Sequence, residues 1–260
     1  MKELETAEKA AKQAGEIIMD FYHKGGRVYE KASVNLLTEA DLTAEKRIVE
    51  TIGSTFPGHA FLCEEEHKGD VHAEKLWIID PIDGTNNLAH RFPHFCVSIA
   101  YAEMGELQCG LVFNPVTEDL FHAVRDEGAF LNGKQVSVSS ASSLSEAIVC
   151  TGFYYDRGAV MRGTLDAIRA LFDSGIQGIR RTGSAALDIC YAGCGWLDVF
   201  FEYELNAWDF AAGILFVEEA GGCISDCRGN RLPFASSSVL ASNCRLHEDT
   251  LNIVQMHMPS

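Results

Sequence analysis

Residues 76–87 read LWIIDPIDGTNN, and two aspartates in this segment follow four consecutive apolar residues. The apolar run at 76–79 predicts a short buried strand, and Asp80 stands at its end. Pro81 fixes the backbone angle φ, so Asp80 and Asp83 can converge on one side of a turn. The segment therefore predicts a buried strand that ends in a pair of converging carboxylates.

More oxygen donors surround this turn. Ile82 can offer its main-chain carbonyl, and Thr85 can present its hydroxyl and N–H group. Glu64 and Glu65 follow another short apolar run at 60–63, which predicts a second strand. Carboxylates at the ends of neighbouring strands repel each other unless cations neutralise them, and such hard oxygen ligands suit Mg²⁺, Mn²⁺ or Ca²⁺ rather than Zn²⁺. We predict a divalent-metal site here; a solvated acidic turn is the alternative.

Helix and strand signals divide the chain into two halves. Helices are predicted at 1–23, from Asp41 as N-cap to before Pro57, and at 160–172, 184–192 and 208–220. Strands are predicted at 95–101, 107–112 and 119–124, with a hairpin turn at Asn132-Gly133, and then at 148–151 and 197–202. The helix at 160–172 is expected to bury Met161, Leu165, Ile168, Leu171 and Phe172.

The two halves meet at the serine-rich residues 137–145. We expect an α+β protein whose N-terminal half, 1–140, carries most candidate metal ligands. The C-terminal half, 141–260, is expected to carry Asp209 and the residues that line the substrate. Together they are predicted to form one compact catalytic unit.

The charge and the cysteines narrow the functional class. The 260 residues carry 21 Lys and Arg against 37 Asp and Glu, so the net charge of −16 argues against a nucleic-acid polymer as partner. The nine cysteines include no CxxC pair, so we expect small buried thiols. Metal ligation by the Cys190/Cys194 and Cys223/Cys227 pairs is the lesser alternative.

The opening residues lack a signal peptide's apolar core, and no apolar run approaches the ~20 residues of a membrane span. We therefore expect a cytoplasmic protein with no membrane partner.

Two segments resemble the signatures of the inositol monophosphatase family. The first covers residues 77–87 with His90-Arg91-Phe92-Pro93 after it, and the second runs from Trp208 to Gly213 and ends in the residues at 219–222. Thr38 to Asp41 and the Glu64-Glu65 pair also match in type and order. The resemblance covers essentially the whole chain. It implies a layered αβαβα fold of the inositol monophosphatase and fructose-1,6-bisphosphatase type, Mg²⁺-dependent phosphomonoesterase activity, sensitivity to lithium and a homodimer.

The resemblance also implies a role for each matching residue. The implied metal ligands are Glu64, Asp80, the carbonyl of Ile82, Asp83 and Asp209. The implied catalytic residues are Glu64, the neighbouring acid Glu65, Thr85 beside the activated water, and Asp41 and Thr38, which support Thr85. The implied substrate-binding residues are Gly84, Thr85, Gly183, Ser184, Ala185, Glu202 and Asp209.

We therefore predict hydrolysis of inositol monophosphate or a related small sugar phosphate by metal-activated water. Two or three Mg²⁺ ions are expected, with Mn²⁺ as a substitute. A covalent aspartyl intermediate at Asp80 is a rival mechanism.

Departures from the family pattern at Cys63, Glu66 and Asn206 leave the substrate open. Fructose 1,6-bisphosphate and adenosine 3′,5′-bisphosphate are alternatives, and Arg180 and Arg181 can be read as holding a second phosphate or as ordinary surface residues. A non-catalytic regulatory protein of the same fold is the alternative from another functional class.

Overall fold

A computed structural model describes residues 1–32, 35–155 and 157–259. The helices in these ranges are α1 (Lys2–Lys24), α2 (Glu39–Thr55), α3 (Thr85–Ala89), α4 (Ala159–Asp173), α5 (Ala185–Gly193), α6 (Ala207–Glu219) and α7 (His247–His257). The strands are β1 (Val28–Ala32), β2 (Asn35–Thr38), β3 (Ala60–Cys63), β4 (Lys75–Asp83), β5 (Cys96–Glu103), β6 (Glu106–Asn114), β7 (Asp119–Val124), β8 (Gly128–Leu131), β9 (Lys134–Gln135), β10 (Ile148–Thr151), β11 (Gly178–Arg180), β12 (Val199–Leu205), β13 (Cys223–Ser225) and β14 (Ser237–Ser242).

Two large sheets organise the chain, and β1 pairs with β2 as a small separate ribbon. The seven-stranded sheet runs from β3 to β9 in sequence order, with β3 and β4 parallel and the later neighbours antiparallel. The five-stranded sheet has the order β11-β10-β12-β14-β13. The predicted meander and the hairpin turn at Asn132-Gly133, between β8 and β9, are confirmed.

The side chains of β4 alternate between the two faces of the seven-stranded sheet and so enter two different cores. Trp77 and Ile79 pack with α1 and α2. Leu76 and Ile78 join a core that also contains α5, α6 and one face of the five-stranded sheet, including Phe200. The opposite face of the five-stranded sheet packs against α4 and α7. The five layers are therefore helix, sheet, helix, sheet, helix, as the αβαβα expectation requires. The division of the chain near residue 140 stays a prediction.

The helix α4 forms where the sequence predicts it but buries a different face. The residues it buries are Gly163, Thr164, Ala167 and Leu171. Leu165 and Phe172 are 49% and 50% exposed, so the predicted inward positions of these two side chains are wrong. Gly163 lies against the end of α7, where a Cβ atom would collide with the carbonyl oxygen of His257, so a small residue is required at this position.

The cysteine prediction holds for most of the thiols. Six of the seven free cysteines are buried. Cys223 and Cys244, however, form a disulfide, so the expectation of a free thiol is wrong at these two positions, and Cys223 does not pair with Cys227 as a metal ligand. Disulfides are rare in reducing compartments, so the cytoplasmic location stays a prediction. In the described part of the chain, no helix has both the length and the apolar character to cross a membrane.

Candidate metal and phosphate site

A bulge in β4 points two aspartates at the same place. Asp80 pairs with Ser98 and Asp83 pairs with Cys96, so a step of three residues on β4 faces a step of two on β5. In a regular strand, residues three apart point to opposite faces. The extra residue removes this alternation. The strand continues through Pro81, whereas the sequence prediction ended it at Asp80.

The strand β3 brings Glu64 beside Asp80. Cys63 pairs with Ile79 in the parallel ladder, and the N–H of Glu64 continues it by donating to the carbonyl of Ile79 (3.2 Å). Glu64 and Asp80 interact through their side chains. The predicted meeting of carboxylates at the ends of neighbouring strands is therefore confirmed for these two residues.

Asp209 reaches the same point from the beginning of α6. Asn206 caps this helix, and its N–H donates to Asp209 Oδ2 (2.7 Å) in a reciprocal capping arrangement. Carboxylate oxygens of Asp80, Asp83 and Asp209 all lie within 4.8 Å of one another. Three acids from two separate parts of the chain therefore face a common centre.

Burial of these acids raises their pKa values. For Asp80 and Asp209, burial is the main cause and the neighbouring carboxylates add to it, which places both pKa values well above the usual range. Burial raises the pKa of Asp83 to about 6, against the opposing effect of hydrogen bonds from Ser184 and from the N–H of Ala186. Without a cation, the cluster therefore favours protons.

Thr85 is linked to a buried aspartate at the beginning of α2. Its Oγ1 lies 2.9 Å from Asp41 Oδ1 and 3.0 Å from the carbonyl of Ile82. The N–H and Oγ1 of Thr38 donate to Asp41 Oδ2, at 2.7 and 2.6 Å. Thr38 is the N-cap of the helix and Asp41 is its third residue, so the prediction of Asp41 as N-cap is wrong. Burial raises the pKa of Asp41 to about 6, although the hydrogen bonds from Thr38 oppose this.

Asp83 joins the acidic cluster to the segment that precedes α5. Its Oδ2 accepts from Ser184 Oγ (2.6 Å) and from the N–H of Ala186 (2.7 Å). Gly183 has a φ of +97°, a backbone conformation that residues other than glycine rarely adopt. One carboxylate therefore fixes the position of Ser184 and of the first turn of α5 relative to the acids.

A cavity of about 130 Å³ lies over the cluster. This volume is below the roughly 300–1,000 Å³ of sites for drug-sized ligands. The lining includes the predicted residues Glu64, Asp80, Ile82, Asp83, Gly84, Thr85, Gly183, Ser184, Ala185, Glu202 and Asp209. Thr38, Asp41 and Glu65 are not in that lining. Thr38 and Asp41 reach the site through Thr85, and the N–H of Glu65 donates to Glu45 instead.

Glu202 forms one wall of the cavity and is 7% exposed. Burial is the main cause of its strongly raised pKa; Asp209 raises it further and Arg181 opposes the shift. Gly152 leaves room for this carboxylate, because a Cβ atom there would lie 2.0 Å from Glu202 Oε2. Arg181 lines the cavity and Arg180 does not, so the structure distinguishes these two arginines.

Two residues that the sequence analysis left without a role also hold the site together. Asp188 is 1% exposed, lines the cavity and accepts from Thr182 Oγ1. It is the only charged residue of the otherwise apolar α5, which was a signal for a buried, functional acid. Asn87 Nδ2 donates to the carbonyls of His94 (2.7 Å) and Thr182 (3.0 Å) and so joins two loops; no sequence signal indicates this contact.

The donor set fits a divalent cation. Carboxylate oxygens of three acids lie close together, and hard oxygen donors of this kind suit Mg²⁺ or Mn²⁺. A cation would also remove the mutual repulsion that raises the pKa values of Asp80 and Asp209. The residues that would hold it are Glu64 and these three aspartates.

Comparison with protein families gives a match that covers nearly the whole chain. Residues 1–258 match the model of the inositol monophosphatase family. The chain belongs to the inositol monophosphatase family. The curated relatives support this membership: inositol monophosphatase 2 of Solanum lycopersicum is 38% identical over 257 residues, which cover 96% of each chain. A protein named Nus factor SuhB from Pseudomonas aeruginosa is also 38% identical, over 98% of this chain and 97% of its own.

Solved structures of the family share this fold. The IMPase of Thermotoga maritima superposes with a TM-score of 0.91 at 33% identity and covers 99% of this chain and 98% of its own. The extragenic suppressor protein SuhB of Bartonella henselae also gives a TM-score of 0.91 at 33% identity, with coverage of 98% and 99%. Family membership and the layered fold expected from the sequence are both confirmed.

Proposed function

We propose that this protein is a Mg²⁺-dependent phosphomonoesterase that hydrolyses inositol monophosphate or a related small sugar phosphate. The observation that carries the proposal is the convergence of Asp80, Asp83 and Asp209 below a small cavity. A phosphate monoester is an anion, and these carboxylates alone would repel it. Bound divalent cations would reverse the local sign of charge and supply Lewis-acid activation.

The residues around the cluster have complementary tasks in this proposal. Thr85 donates a hydrogen bond from its hydroxyl to Asp41, and its oxygen is proposed to accept a hydrogen bond from the attacking water. The main-chain N–H groups of Gly84 and Thr85 are proposed to bind phosphate oxygens. Glu202 is proposed to accept hydrogen bonds from hydroxyl groups of the substrate. Water attacks phosphorus directly, without a covalent enzyme intermediate.

The names of the relatives support two functional classes. Some are called inositol monophosphatase and others Nus factor SuhB. This chain retains the acids and Thr85 in one site, which favours the phosphatase over a purely regulatory protein. A bisphosphate substrate is the second candidate, because Arg181 is the one cationic side chain among the described residues that line the cavity. The homodimer and lithium inhibition remain proposals from the family resemblance, and the cytoplasmic location remains a proposal from the sequence.

Phosphate release from a substrate panel tests the proposed function. The panel contains inositol 1-phosphate, fructose 1,6-bisphosphate and adenosine 3′,5′-bisphosphate, each measured with and without Mg²⁺. We expect Mg²⁺-dependent release, with the highest kcat/KM for inositol 1-phosphate. A higher kcat/KM for either bisphosphate would favour the second candidate. Absence of release from every substrate in Mg²⁺ would refute the enzyme hypothesis.

Asp83→Asn tests in the same assay whether Asp83 is a metal ligand. It keeps the shape of the side chain but removes the charge at the centre of the cluster. We expect kcat to fall at least about a hundredfold, since a metal-ligand charge and the bonds to α5 are both altered. A near-normal rate would show that Asp83 is not a ligand.

A further inference from the structure

A buried acid outside the cavity holds the turn that carries Glu64. Glu45 lies on α2 and is 1% exposed. One of its oxygens accepts from the N–H of Glu65 (2.8 Å), and the other accepts from the N–H groups of Glu66 (2.9 Å) and His67 (3.2 Å). The ring Nδ1 of His67 lies 2.8 Å from the same oxygen. Three consecutive N–H groups are therefore fixed by one side chain.

Lys68 holds the same turn from its carbonyl side. Its Nζ donates to the carbonyl of Cys63 (2.7 Å) and to that of Glu64. The ammonium group also lies 4.4 Å from the centre of the Trp208 ring. Trp208 directly precedes Asp209, so Lys68 connects the turn to the beginning of α6.

These contacts fix the main chain on both sides of Glu64. The turn is closed by a bond from the N–H of Cys63 to the carbonyl of His67 (2.6 Å). Glu45 orients the N–H groups that follow Glu64, and Lys68 orients the two carbonyls at and before it. Charge-assisted hydrogen bonds of this kind are short and strongly directional. The direction in which the Glu64 side chain leaves the turn is set by residues that do not touch the cavity.

Glu45, Cys63 and His67 can also be read as a second metal site, since their donor atoms lie within 4.8 Å of one another. The geometry disfavours this reading because both oxygens of Glu45 already accept main-chain N–H groups. A metal ion there would compete with the bonds that shape the turn.

We propose that Glu45 and Lys68 are positioning residues that fix Glu64 for cation binding. The inference rests on the proposed function in one respect, namely that Glu64 is a ligand of the catalytic cation. Groups that orient a ligand in this way commonly contribute 10–100-fold to metal affinity.

Calorimetric titration of the metal-free protein with Mn²⁺ tests this inference directly. Glu45→Gln keeps the shape of the side chain but replaces one acceptor oxygen with an NH₂ group, which opposes the N–H donors of the turn. We expect the Mn²⁺ affinity to fall about tenfold or more, together with a matching rise in the Mg²⁺ concentration for half-maximal phosphate release. Glu50→Gln is the control, because Glu50 is an exposed acid on the same helix, and its affinity should equal that of the unaltered protein.

Lys68 provides a second, independent variant. Lys68→Met should weaken Mn²⁺ binding, and Lys68→Arg should restore most of the affinity, since it keeps a cationic donor. If Glu45→Gln fails to fold by circular dichroism, the Lys68 pair decides the question alone. A merely structural role would lower the melting temperature in Lys68→Met with no change in Mn²⁺ affinity.

Three results would overturn the inference. The first is normal Mn²⁺ affinity in folded Glu45→Gln or Lys68→Met. The second is normal affinity in Glu64→Gln, which would show that Glu64 is no ligand. The third is Zn²⁺ binding that survives Glu64→Gln but is lost in Glu45→Gln, which would establish a separate site. Because Mn²⁺ binding is read without turnover, a protein that releases no phosphate would refute the proposed function and leave this test intact.

Discussion

Thr85 is the residue where the proposed chemistry depends on a single atom. Its hydroxyl is 2.9 Å from Asp41 Oδ1. Thr38 holds the second oxygen with two bonds. This chain of contacts orients the Thr85 oxygen without any participation of the substrate.

Thr85→Val should therefore lower kcat by about a hundredfold or more, because the valine cannot orient the attacking water. The side chains have nearly the same shape, so KM should change little. Thr85→Ser is the control and should retain most of the rate. Steady-state kinetics on the preferred substrate give both parameters, and equal kcat values for the Val and Ser variants would contradict the role of the hydroxyl.

At the scale of residues, the sequence predicts the acids well and their supports less well. Asp80, Asp83 and Asp209 stand in recognisable motifs, and the structure brings them together. Asp188 is surrounded by apolar residues in its helix, which is a signal for burial that the prediction did not use. Glu45 lies in a helix with several other acids, and its burial depends on distant segments, so local sequence patterns do not indicate it.

At the scale of elements, the bulge in β4 explains how Asp80 and Asp83, three residues apart in one strand, point to the same place. Their separation of three residues suits a turn, and the sequence analysis assigns one. The structure keeps the strand and inserts one extra residue opposite β5. Pairing with β5 decides between a turn and a bulged strand, and sequence patterns do not reveal this pairing.

The helix α4 shows the same limit in its orientation. Its apolar residues are numerous enough to suggest more than one inward face, and the prediction selects the larger side chains. The structure buries Gly163, Thr164 and Ala167 instead. Gly163 packs against the end of α7, and this close contact favours a small residue over a wide apolar stripe.

Two leucines of α4 offer a matched test of this orientation. Leu171 is completely buried and Leu165 is 49% exposed. Leu171→Ala should lower the free energy of unfolding by about 2–5 kcal/mol. Leu165→Ala should lower it by less than about 1 kcal/mol. Urea denaturation measures both, and a reversed order would show that the helix buries its other face.

At the scale of the whole molecule, the buried acids make stability depend on pH. The pKa of Asp41 rises from 3.8 to about 6 on folding. The folded state therefore holds this proton more tightly than the unfolded state. The contribution of Asp41 to stability is present below pH 4 and is lost as the pH rises to about 6. The shift of about two pKa units corresponds to roughly 3 kcal/mol.

Urea denaturation in chelator should show this loss between pH 4 and pH 6. Asp41→Asn cannot release a proton, so its free energy of unfolding should decline less over the same interval. Added Mg²⁺ should stabilise the unaltered protein most at the higher pH, because cations compete with protons for the acids. Parallel pH profiles for the two proteins in chelator would contradict the assignment.

The middle helical layer has a consequence for how the chain folds during synthesis. The inner face of the seven-stranded sheet packs against α5 and α6, which follow that sheet in the chain. Until these helices emerge from the ribosome, Leu76, Ile78 and the other side chains on this face of the sheet lack the helical layer that buries them. A nascent chain that ends before α6 also lacks Asp209 and so lacks a complete ligand set. Such partly made chains expose apolar surface and are prone to aggregation. The seven-stranded sheet is therefore covered on both faces only after α5 and α6 have been synthesised.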